Sequence, residues 1–379
     1  MRFPSGIAIA GVAESRLGEV PGASAEELMT EAALAALDDA GLSPRDVDGL
    51  FSTSSYHFLP TMNLTEQMGV TPSYSDSTSL GGSSFVAYLG HAAAAISAGL
   101  CEVALITYGS TQRSDGGKLV SRSEQSSFEL PLGYRYPISG YALAAARHMH
   151  QFGTTLKQLA EVAVASRQWA QLNPKAFTYG RPLSLEQAMA SPVVSSPLRA
   201  VDCCLVTDGG AAFVVTKADR AKDLRQLPIS VLGVAEAHEH RDISEMHDLT
   251  STAARITGPR ALSEADLTPA DIDLVTLYDS FTINVPLFLE DLGFCAKGEG
   301  GPFVSGGRIA PGGALPVNPM GGGLSYTHPG MFGAFLVVEA VRQLRHEAGE
   351  RQVEGAQHAL VHGCGAVLSS HATAVLGRP

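Results

Sequence analysis

The sequence contains no run of about 18 or more uncharged apolar residues, so it predicts no membrane-spanning helix. The amino-terminal segment MRFPSGIAIAGVAESR has too short an apolar run for a secretion signal. We therefore expect a soluble, cytoplasmic protein.

Cysteine is scarce, with five residues at no regular spacing. An odd and unpatterned set favours reduced thiols and excludes a disulfide framework. Cys203 and Cys204 are adjacent, which suits neither a disulfide framework nor a zinc site of the C-x-x-C kind. We predict no metal site in this chain.

Blocks of Lys or Arg are also absent, and 26 basic against 38 acidic side chains give a formal net charge of −12. We therefore expect no nucleic acid partner. A small anionic ligand would need a local basic pocket. Loop residues that could contribute to such a pocket, or could merely be solvated, are Arg113, Lys118, Arg122 and Arg135.

The composition is that of a compact globular fold, with 45% hydrophobic and 17% charged residues among 379. Single hydrophobic cores stop growing at roughly 250–300 residues. We therefore expect two domains or two fused half-domains.

A short motif occurs twice. LSPRDVDGL at 42–50 and LTPADIDLV at 267–275 share Leu, Pro, Asp, a β-branched residue and Asp, 225 residues apart. Each copy follows a helical pattern and leads into an apolar strand. Before the first copy, Ser24 and Glu27 predict a capping box and Gly41 a helix end. The repeat favours a duplicated α/β fold, although nine residues could also match by chance.

Each half also contains an apolar helix followed by a strand, at 83–99 and 102–108 and again at 330–346 and 358–362. This alternation predicts mostly parallel, buried sheets covered by helices. Residues 110 to about 200 have only broken helical patches, which predicts a long insertion. Insertions of that length usually form lids or binding loops.

Three motifs of the second half carry reactive side chains in a fixed order: YDSFT at 278–282, NPMGGGLSYTHPG at 318–330 and HGCGAVLSSHA at 362–372. The first ends an apolar strand, where α/β sheets place their chemistry. In this order and spacing, the chain resembles the thiolase superfamily over nearly its whole length. The similarity is to sterol carrier protein X thiolases and related thiolase-like proteins, including the steroid side-chain aldolase type.

The resemblance implies an α/β fold in which two βαβαβαββ halves form five αβαβα layers. The first half would cover 1–225, with an inserted loop domain at about 110–200, and the second half 226–379. It also implies a homodimer and an acyl-CoA substrate whose pantetheine arm reaches the site under the loop domain. No cofactor is expected beyond the coenzyme A of the substrate.

Thiolases use a cysteine nucleophile at the start of a buried helix. The matching stretch, GGSSFVAYLGHAAAAISAG, places that position near Gly82, so the cysteine is missing. Ser83 and Ser84 follow, but an unactivated hydroxyl is a poor substitute and capping of the helix is the simpler interpretation. These three residues are candidates for substrate binding.

His328 matches the histidine of the family's GHPxG motif, which helps form an oxyanion hole. A neutral imidazole there can donate a hydrogen bond to an enolate oxygen, or the ring could only fix the loop. Tyr326 could reach the same centre or simply pack. His362, at a strand end, could meet the same pocket.

Tyr278 and Asp279 stand where the related thiolases carry the His and Asp of an HDCF motif, and Ser280 stands where that motif has Cys. Tyr278 could transfer protons if a neighbour lowered its pKa, or it could be an ordinary strand-end tyrosine. Asp279 is expected to cap a helix starting near Thr282, and both it and Ser280 are candidates for substrate binding. Cys364 is either an acid/base thiol or a residue small enough for a tight turn.

A pocket with the histidine but without the acylating cysteine can still break a carbon–carbon bond β to a thioester. The resemblance includes aldolases that do so in complex with a partner bearing a zinc ribbon and an OB fold. We therefore predict retro-aldol cleavage of a β-hydroxyacyl-CoA, with Tyr278 transferring the proton, His328 stabilising the enolate, and Tyr326 and His362 assisting.

Two alternatives remain open. One is a thiolase or acetyl-CoA acyltransferase that uses Cys364 or a serine. The other is a catalytically silent subunit that binds acyl-CoA.

Overall fold

The computed structural model describes residues 3–54, 57–115 and 127–379. Two of the candidate basic residues, Lys118 and Arg122, lie outside the described residues. The strands are β1 Ile7–Glu14, β2 Gly49–Ser52, β3 Tyr74–Asp76, β4 Val103–Ser110, β5 Val193–Ser195, β6 Leu198–Arg199, β7 Gly209–Lys217, β8 Ile229–His238, β9 Leu274–Leu277, β10 His358–Gly365 and β11 Ser370–Gly377. The α-helices are α1 Ala25–Ala40, α2 Pro60–Met68, α3 Ser84–Ser97, α4 Ile138–Phe152, α5 Leu156–Gln171, α6 Leu185–Met189, α7 Ala218–Ala221, α8 Ala254–Glu264, α9 Asn284–Asp291, α10 Gly300–Val304 and α11 Gly333–Arg345.

The main sheet has the order β3-β2-β4-β7-β1-β8-β11-β10-β9. Its first five strands come from the first half of the chain and its last four from the second half. Read from the edge inwards, β9-β10-β11-β8 of the second half correspond to β2-β4-β7-β1 of the first. In each half a parallel pair, β2 with β4 or β9 with β10, is followed by antiparallel pairings. The halves meet where β1 pairs briefly with β8, at Ala8–Ser230 and Ile9–Ile229.

The two halves of this sheet form two separate layers, and the helices pack between them and on their outer faces. The buried helices α3 and α11 contact strands of both halves, so they lie between them. On the outside, α1 covers β1, β4 and β7, while α8 covers β8 and β11. The order helix, sheet, helix, sheet, helix is the predicted five-layered architecture.

The repeated motif has the same structural task in both halves. The Asp48 carboxylate accepts a hydrogen bond from the backbone N–H of Val103 at 2.8 Å, at the start of β4. Asp273 accepts one from the N–H of His358 at 2.9 Å, at the start of β10. In each half, the second aspartate of the motif therefore ties the strand after it to the neighbouring central strand, so the sequence repeat reflects a structural duplication.

Helix α1 begins and ends as predicted, with the Ser24–Glu27 capping box formed and Gly41 in the left-handed region at φ 76°. The helix that precedes the second copy of the motif begins at Ala254. Ahead of it, the carboxylate of Asp248 accepts the N–H of Thr250 at 2.8 Å. Such a local side-chain bond competes with the helical backbone pattern.

Between β4 and β7 the chain runs through residues 111–208, which include α4, α5, α6 and the β5–β6 pair. The corresponding connection in the second half, between β10 and β11, is only 366–369. The buried His148 of α4 joins this segment to the second half, with Nε2 3.0 Å from Glu290 Oε1. Helix α5 packs on the segment Gly322–Tyr326, so it covers one of the three motifs.

Candidate active site

The end of β9 and the start of α3 meet at the position expected for the nucleophile. Tyr278 directly follows β9, and Gly82 lies just before α3. A Cβ atom built on Gly82 would lie 2.0 Å from Cε2 of Tyr278, far inside a van der Waals contact. The tyrosine ring therefore occupies the space that a side chain at position 82 would need.

His328 packs against the same ring. The Tyr278 and His328 rings meet edge to face, with centroids 5.5 Å apart at 90°. We call these two residues the tyrosine–histidine pair. Burial lowers the pKa of His328 to about 4, so the imidazole is neutral near pH 7. Its Nε2 is buried and has no hydrogen-bond partner among the described residues, so a ligand oxygen placed beside it would satisfy this nitrogen.

The Tyr278 hydroxyl is 3.4 Å from the carbonyl oxygen of Gly330, to which it donates. Burial raises the pKa of Tyr278 well above its ordinary value. This corrects the condition attached to the sequence prediction, in which a neighbour would lower that pKa. The residue is a neutral phenol that holds its proton, so it is suited to donate a hydrogen bond or deliver a proton.

Asp279 anchors the segment that presents the histidine. Its Oδ1 accepts the backbone N–H of Gly323 at 2.6 Å, inside the single π-helical turn at 322–326. The expectation that Asp279 caps a helix near Thr282 is therefore wrong. A Cβ atom on Gly322, which has φ 61°, would lie 2.0 Å from Oδ2, so glycine allows the close approach. Asp279, whose pKa is raised to about 7 by burial, acts here as a support for the segment leading to His328.

The two serines beside the nucleophile position are fully hydrogen-bonded. The Ser83 hydroxyl donates to the Leu80 carbonyl at 2.8 Å and lies 2.7 Å from Ser370 Oγ. Ser84 Oγ accepts from Thr78 Oγ1 at 2.9 Å. Neither makes the side-chain cap of α3 that was expected. Within the described ranges no imidazole or carboxylate bonds directly to either hydroxyl. The imidazole of His238 reaches Ser83 only through Ser370 Oγ, which lies 2.9 Å from its Nδ1, so neither serine has the adjacent base that a serine nucleophile requires.

Cys364 and Ser280 face a tyrosine from the insertion. Burial raises the pKa of the Cys364 thiol to about 12, and the hydroxyl of Tyr141 beside it opposes that rise only in part. That hydroxyl also donates to the Ala366 carbonyl at 3.0 Å and contacts Ser280, whose Oγ accepts from Asn284 at 3.0 Å. The thiol therefore stays protonated near pH 7, whereas a nucleophilic cysteine needs a lowered pKa.

His362 does not reach the tyrosine–histidine pair. Its Nδ1 lies 2.8 Å from Thr373 Oγ1 and its Nε2 3.1 Å from His371 Nδ1. The next residue, Gly363, faces α3, because a Cβ atom there would lie 3.1 Å from the Ser83 Cα. Side chains alternate along a strand, so His362 points to the opposite face of β10. Burial and the neighbouring His371 lower the pKa of His362 well below its ordinary value.

The hydroxyl of Tyr326 is also engaged elsewhere, because it donates to Oε1 of the buried Glu14. Burial alone would raise the pKa of Glu14, but Arg342 at 2.7 Å and Lys175 at 3.2 Å lower it to about 2, with a contribution from Tyr326. The structure therefore places the Tyr326 hydroxyl in an ion-pair network and does not bring it to the tyrosine–histidine pair.

Tyr108 was not singled out from the sequence. Its hydroxyl donates to the Pro329 carbonyl at 2.5 Å and accepts the N–H of Met331 at 3.1 Å, so it fixes the turn after His328. Tyr108 ends the predicted strand at 102–108 just as Tyr278 follows the end of β9. Strand-end position could therefore have identified it. Tyr141 lies in a segment whose broken helical pattern carried no such signal.

Within the described ranges, no group of three or more His, Cys, Asp or Glu side chains is placed to hold a metal ion. The helices described there include none that is both long enough and apolar enough to cross a membrane.

Comparisons with known proteins agree with this architecture. Residues 235–378 match the family described as thiolase C-terminal domain-like. The chain is 36% identical over 374 residues to the 17-hydroxy-3-oxo-4-pregnene-20-carboxyl-CoA lyase of Mycobacterium tuberculosis, covering 93% of this chain and 95% of the lyase. It is 34% identical over 369 residues to a steroid side-chain-cleaving aldolase of Thermomonospora curvata, covering 90% and 91%. An acetyl-CoA acetyltransferase of Methanothermobacter thermautotrophicus is 35% identical over 388 residues, covering 98% and 99%.

Among solved structures, the Ltp2-ChsH2(DUF35) aldolase superposes with a TM-score of 0.91 at 32% identity, covering 99% of this chain and 98% of that one. The predicted enzyme class, a carbon–carbon lyase or acyltransferase, is the class of these relatives. Relatives that are more than 30% identical over at least nine-tenths of the chain, one of them a solved structure, show its family. The chain belongs to the thiolase superfamily, in the sterol carrier protein thiolase-like branch that includes steroid side-chain aldolases.

Proposed function

We propose that this protein cleaves a β-hydroxyacyl-CoA by a retro-aldol reaction that forms no acyl-enzyme. The observation that carries this proposal is the ring of Tyr278 in the space beside Gly82, where a Cβ atom would lie 2.0 Å from the ring. The named lyase and aldolase relatives support the same reaction class.

The reaction needs no net supply of protons. The β-hydroxyl loses its proton as the bond between the α and β carbons breaks, the β carbon becomes a carbonyl, and the electron pair forms the thioester enolate. The enolate α carbon takes up one proton, which gives the shorter acyl-CoA. A neutral phenol can serve both transfers when they are concerted: as the Tyr278 proton passes to the α carbon, the phenol oxygen takes up the proton of the β-hydroxyl, so the residue is neutral before and after the reaction.

His328 would stabilise the enolate oxygen. Its imidazole is neutral and buried, and its Nε2 has no partner in the described part of the chain. In the tautomer that carries a proton on Nε2, this nitrogen can donate a hydrogen bond to the developing oxyanion. Loss of one such donor typically costs about 10²–10³-fold in kcat.

The test is mass spectrometry of a panel of β-hydroxyacyl-CoA esters incubated with the wild type, Tyr278→Phe and His328→Ala, with the exposed Tyr179→Phe as a matched control. We expect a shorter acyl-CoA and a carbonyl product, lost in the first two variants and retained in the control. Thiolysis of a β-ketoacyl-CoA by free CoA, without cleavage of any β-hydroxy ester, would instead establish an acyltransferase. Binding of CoA esters with neither activity would leave a non-catalytic subunit.

We also propose that the protein is a cytoplasmic homodimer that works with a partner bearing a zinc ribbon and an OB fold, and that coenzyme A enters only as part of the substrate. Support for a partner comes from the similar aldolase, whose name contains a second component, ChsH2(DUF35). Support for a homodimer comes from the sheet edges. The outer edge of β9 is covered where Val275 bridges Val317, whereas β3 ends the sheet with no further strand among the described residues.

A further inference from the structure

The short segment 204–207, which leads into β7, connects two of the three motifs. The backbone N–H of Cys204 donates to the Ser280 carbonyl at 2.8 Å. Three residues later, the N–H of Thr207 donates to the His328 carbonyl at 3.4 Å. The segment therefore runs from the strand-end motif to the glycine-rich loop that presents the histidine.

The side chain of Thr207 binds His328 a second time. Its Oγ1 accepts the backbone N–H of His328 at 2.9 Å and lies 2.7 Å from Oγ1 of Thr327. Both threonines are buried, and hydrogen bonds in a buried setting are stronger than the same bonds in water. Thr207 thus holds the carbonyl of His328 with its backbone and the N–H of His328 with its side chain.

His328 depends on such contacts because its own segment lacks regular structure. The π-helical turn ends at Tyr326, and Thr327 is extended, with φ −159° and ψ 149°. Residues 327–332 lie between that turn and the start of α11 and belong to no helix or strand. Backbone groups outside helices and strands must find individual partners. The bonds from Thr207 supply such partners at the residue that carries the imidazole.

Thr207 is in turn fixed by the next residue. The buried Asp208 carboxylate accepts the backbone N–H of Val20 on one oxygen and that of Arg113 on the other, each at 2.8 Å. These two groups lie shortly after β1 and β4, the strands that pair with β7. The support of His328 is therefore anchored to the ends of two central strands, which is the rigid mounting that a reacting group requires.

These contacts leave one polar atom of His328 without a partner. The backbone is held by Thr207, and the ring packs edge to face on Tyr278 at 5.5 Å. The ring Nε2 is buried and unpartnered in the part of the chain that the structure describes. A shift of the backbone would change the direction of the Nε2–H group, and hydrogen bonds weaken steeply when they are misaligned.

We propose that Thr207 is a positioning residue for the lyase reaction, and that its hydroxyl holds the His328 backbone so that Nε2 faces the enolate oxygen. This inference rests on the proposed function, because it requires that His328 stabilises the enolate.

The experiment compares Thr207→Val, which keeps the shape of the side chain but removes the hydroxyl, with Thr207→Ser, which keeps the hydroxyl. The substrate is a β-hydroxyacyl-CoA that the wild type cleaves. In the valine variant we expect kcat to fall about 10- to 100-fold, since a misplaced group mainly affects the chemical step. KM should stay within about twofold, because no ground-state contact is removed. The serine variant should retain most of the wild-type kcat.

Thr257→Val is the matched control. Thr257 is also a fully buried threonine, and its Oγ1 lies 2.7 Å from Oγ1 of Thr373. Within the described ranges neither of these hydroxyls bonds to Tyr278 or His328. Both valine variants remove one hydroxyl from a buried threonine pair, so urea unfolding should show a similar loss of stability in the two. Only Thr207→Val should lose kcat.

A second comparison separates positioning from general damage. In a His328→Ala background the imidazole is absent, so Thr207→Val should lower the residual kcat by less than about twofold. An unchanged kcat in Thr207→Val alone would overturn the inference. So would an equal loss in Thr207→Ser, in Thr257→Val or in the alanine background. If Thr207→Val does not fold, Thr207→Cys, whose thiol is a weak acceptor, provides the same comparison.

Nitrogen-15 NMR of histidine-labelled protein makes the test independent of cleavage. The signal that is missing in His328→Ala identifies His328. We expect Thr207→Val to shift this signal, and Thr207→Ser and Thr257→Val to leave it in place. A wild type that cleaves no β-hydroxyacyl-CoA would contradict the proposed reaction, and the NMR comparison would still show whether Thr207 fixes the imidazole. An unchanged signal in Thr207→Val would overturn the inference.

Discussion

At the scale of single residues, position 82 separates this site from one with a cysteine nucleophile. The space for a side chain there is filled by Tyr278, whose Cε2 would be 2.0 Å from a Cβ atom. Gly82→Cys should therefore displace the ring, abolish lyase activity and create no thiolase activity. Overpacking of a core typically costs about 1–3 kcal/mol, which urea unfolding would measure.

The control is the same change in a Tyr278→Ala background, where the ring is gone. If the clash causes the loss, the double variant should lose less stability from the cysteine than the single variant does. An equal loss in both backgrounds would show that the ring is not what excludes a side chain from position 82.

Asp279 supports a second prediction at this scale. Because its carboxylate holds the N–H of Gly323 at 2.6 Å, Asp279→Asn should loosen the segment before His328. We expect kcat to fall by about 10- to 100-fold with KM little changed, since misplacement of a catalytic group mainly affects the chemical step. Asp271→Asn, in an exposed turn of the repeated motif, is the control. A rise in KM with unchanged kcat would instead favour direct substrate binding by Asp279.

The side chains of Asp279 and Tyr326 make contacts that the sequence did not predict. The N–H group that Asp279 binds lies 44 residues further along the chain, so a rule for local helix capping could not find it. Tyr326 ends a π-helical turn, and its distance from His328 in sequence did not reveal the direction of its side chain. Tyr278 and His328 were assigned to one reacting centre because both match motif positions of the family that the sequence resembles, and their rings lie 5.5 Å apart.

At the scale of secondary-structure elements, β10 and β11 bury two histidines side by side. His362 and His371 have ring centroids 5.2 Å apart. Burial lowers the pKa of His371 to about 3, and burial with His371 lowers that of His362 well below its ordinary value. An unfolded histidine titrates near 6.5. Below that pH the unfolded chain binds protons that the folded chain excludes, so stability falls as the pH falls.

Each such histidine should contribute up to about 1.4 kcal/mol per pH unit to this loss. Urea unfolding at pH 7, 6 and 5 should show a smaller loss for the double variant His362→Gln/His371→Gln than for the wild type. The exposed His247→Gln should keep the wild-type dependence. Parallel pH profiles for the wild type and the double variant would contradict the assignment.

At the scale of the whole molecule, the duplication was predictable because the repeated motif performs the same task twice, with Asp48 and Asp273 each binding the start of the next central strand. The junction of the halves at the short β1–β8 pairing was not predictable, since a two-residue contact has no pattern in the sequence. The contact of Tyr141 with Ala366 was also not predicted, because it joins residues that are far apart in the sequence.

The outer edge of β3, which pairs with no further strand in the described part of the chain, gives a prediction for assembly. The Tyr74 N–H donates inward to the Asp48 carbonyl at 3.0 Å, so by alternation the N–H of Ser75 faces outward. Ser75→Pro should remove an outward hydrogen bond without breaking the pairing with β2. If two copies pair along this edge, light scattering should show a dimer for the wild type and for Ser75→Ala, and monomers for Ser75→Pro. A dimer that survives Ser75→Pro would place the contact elsewhere.

The ring that fills the space beside Gly82 comes from the second half of the chain, while the glycine belongs to the first. Reaction type is therefore a joint property of two duplicated segments, and the effect of a mutation in one depends on the residue in the other. Because of this epistasis, a cysteine at position 82 should destabilise the fold while Tyr278 remains. A smaller residue at position 278 makes room but leaves the chain without a nucleophile as long as Gly82 is present. A mutational route between lyase and thiolase would thus have to pass through an intermediate that is poor at both reactions.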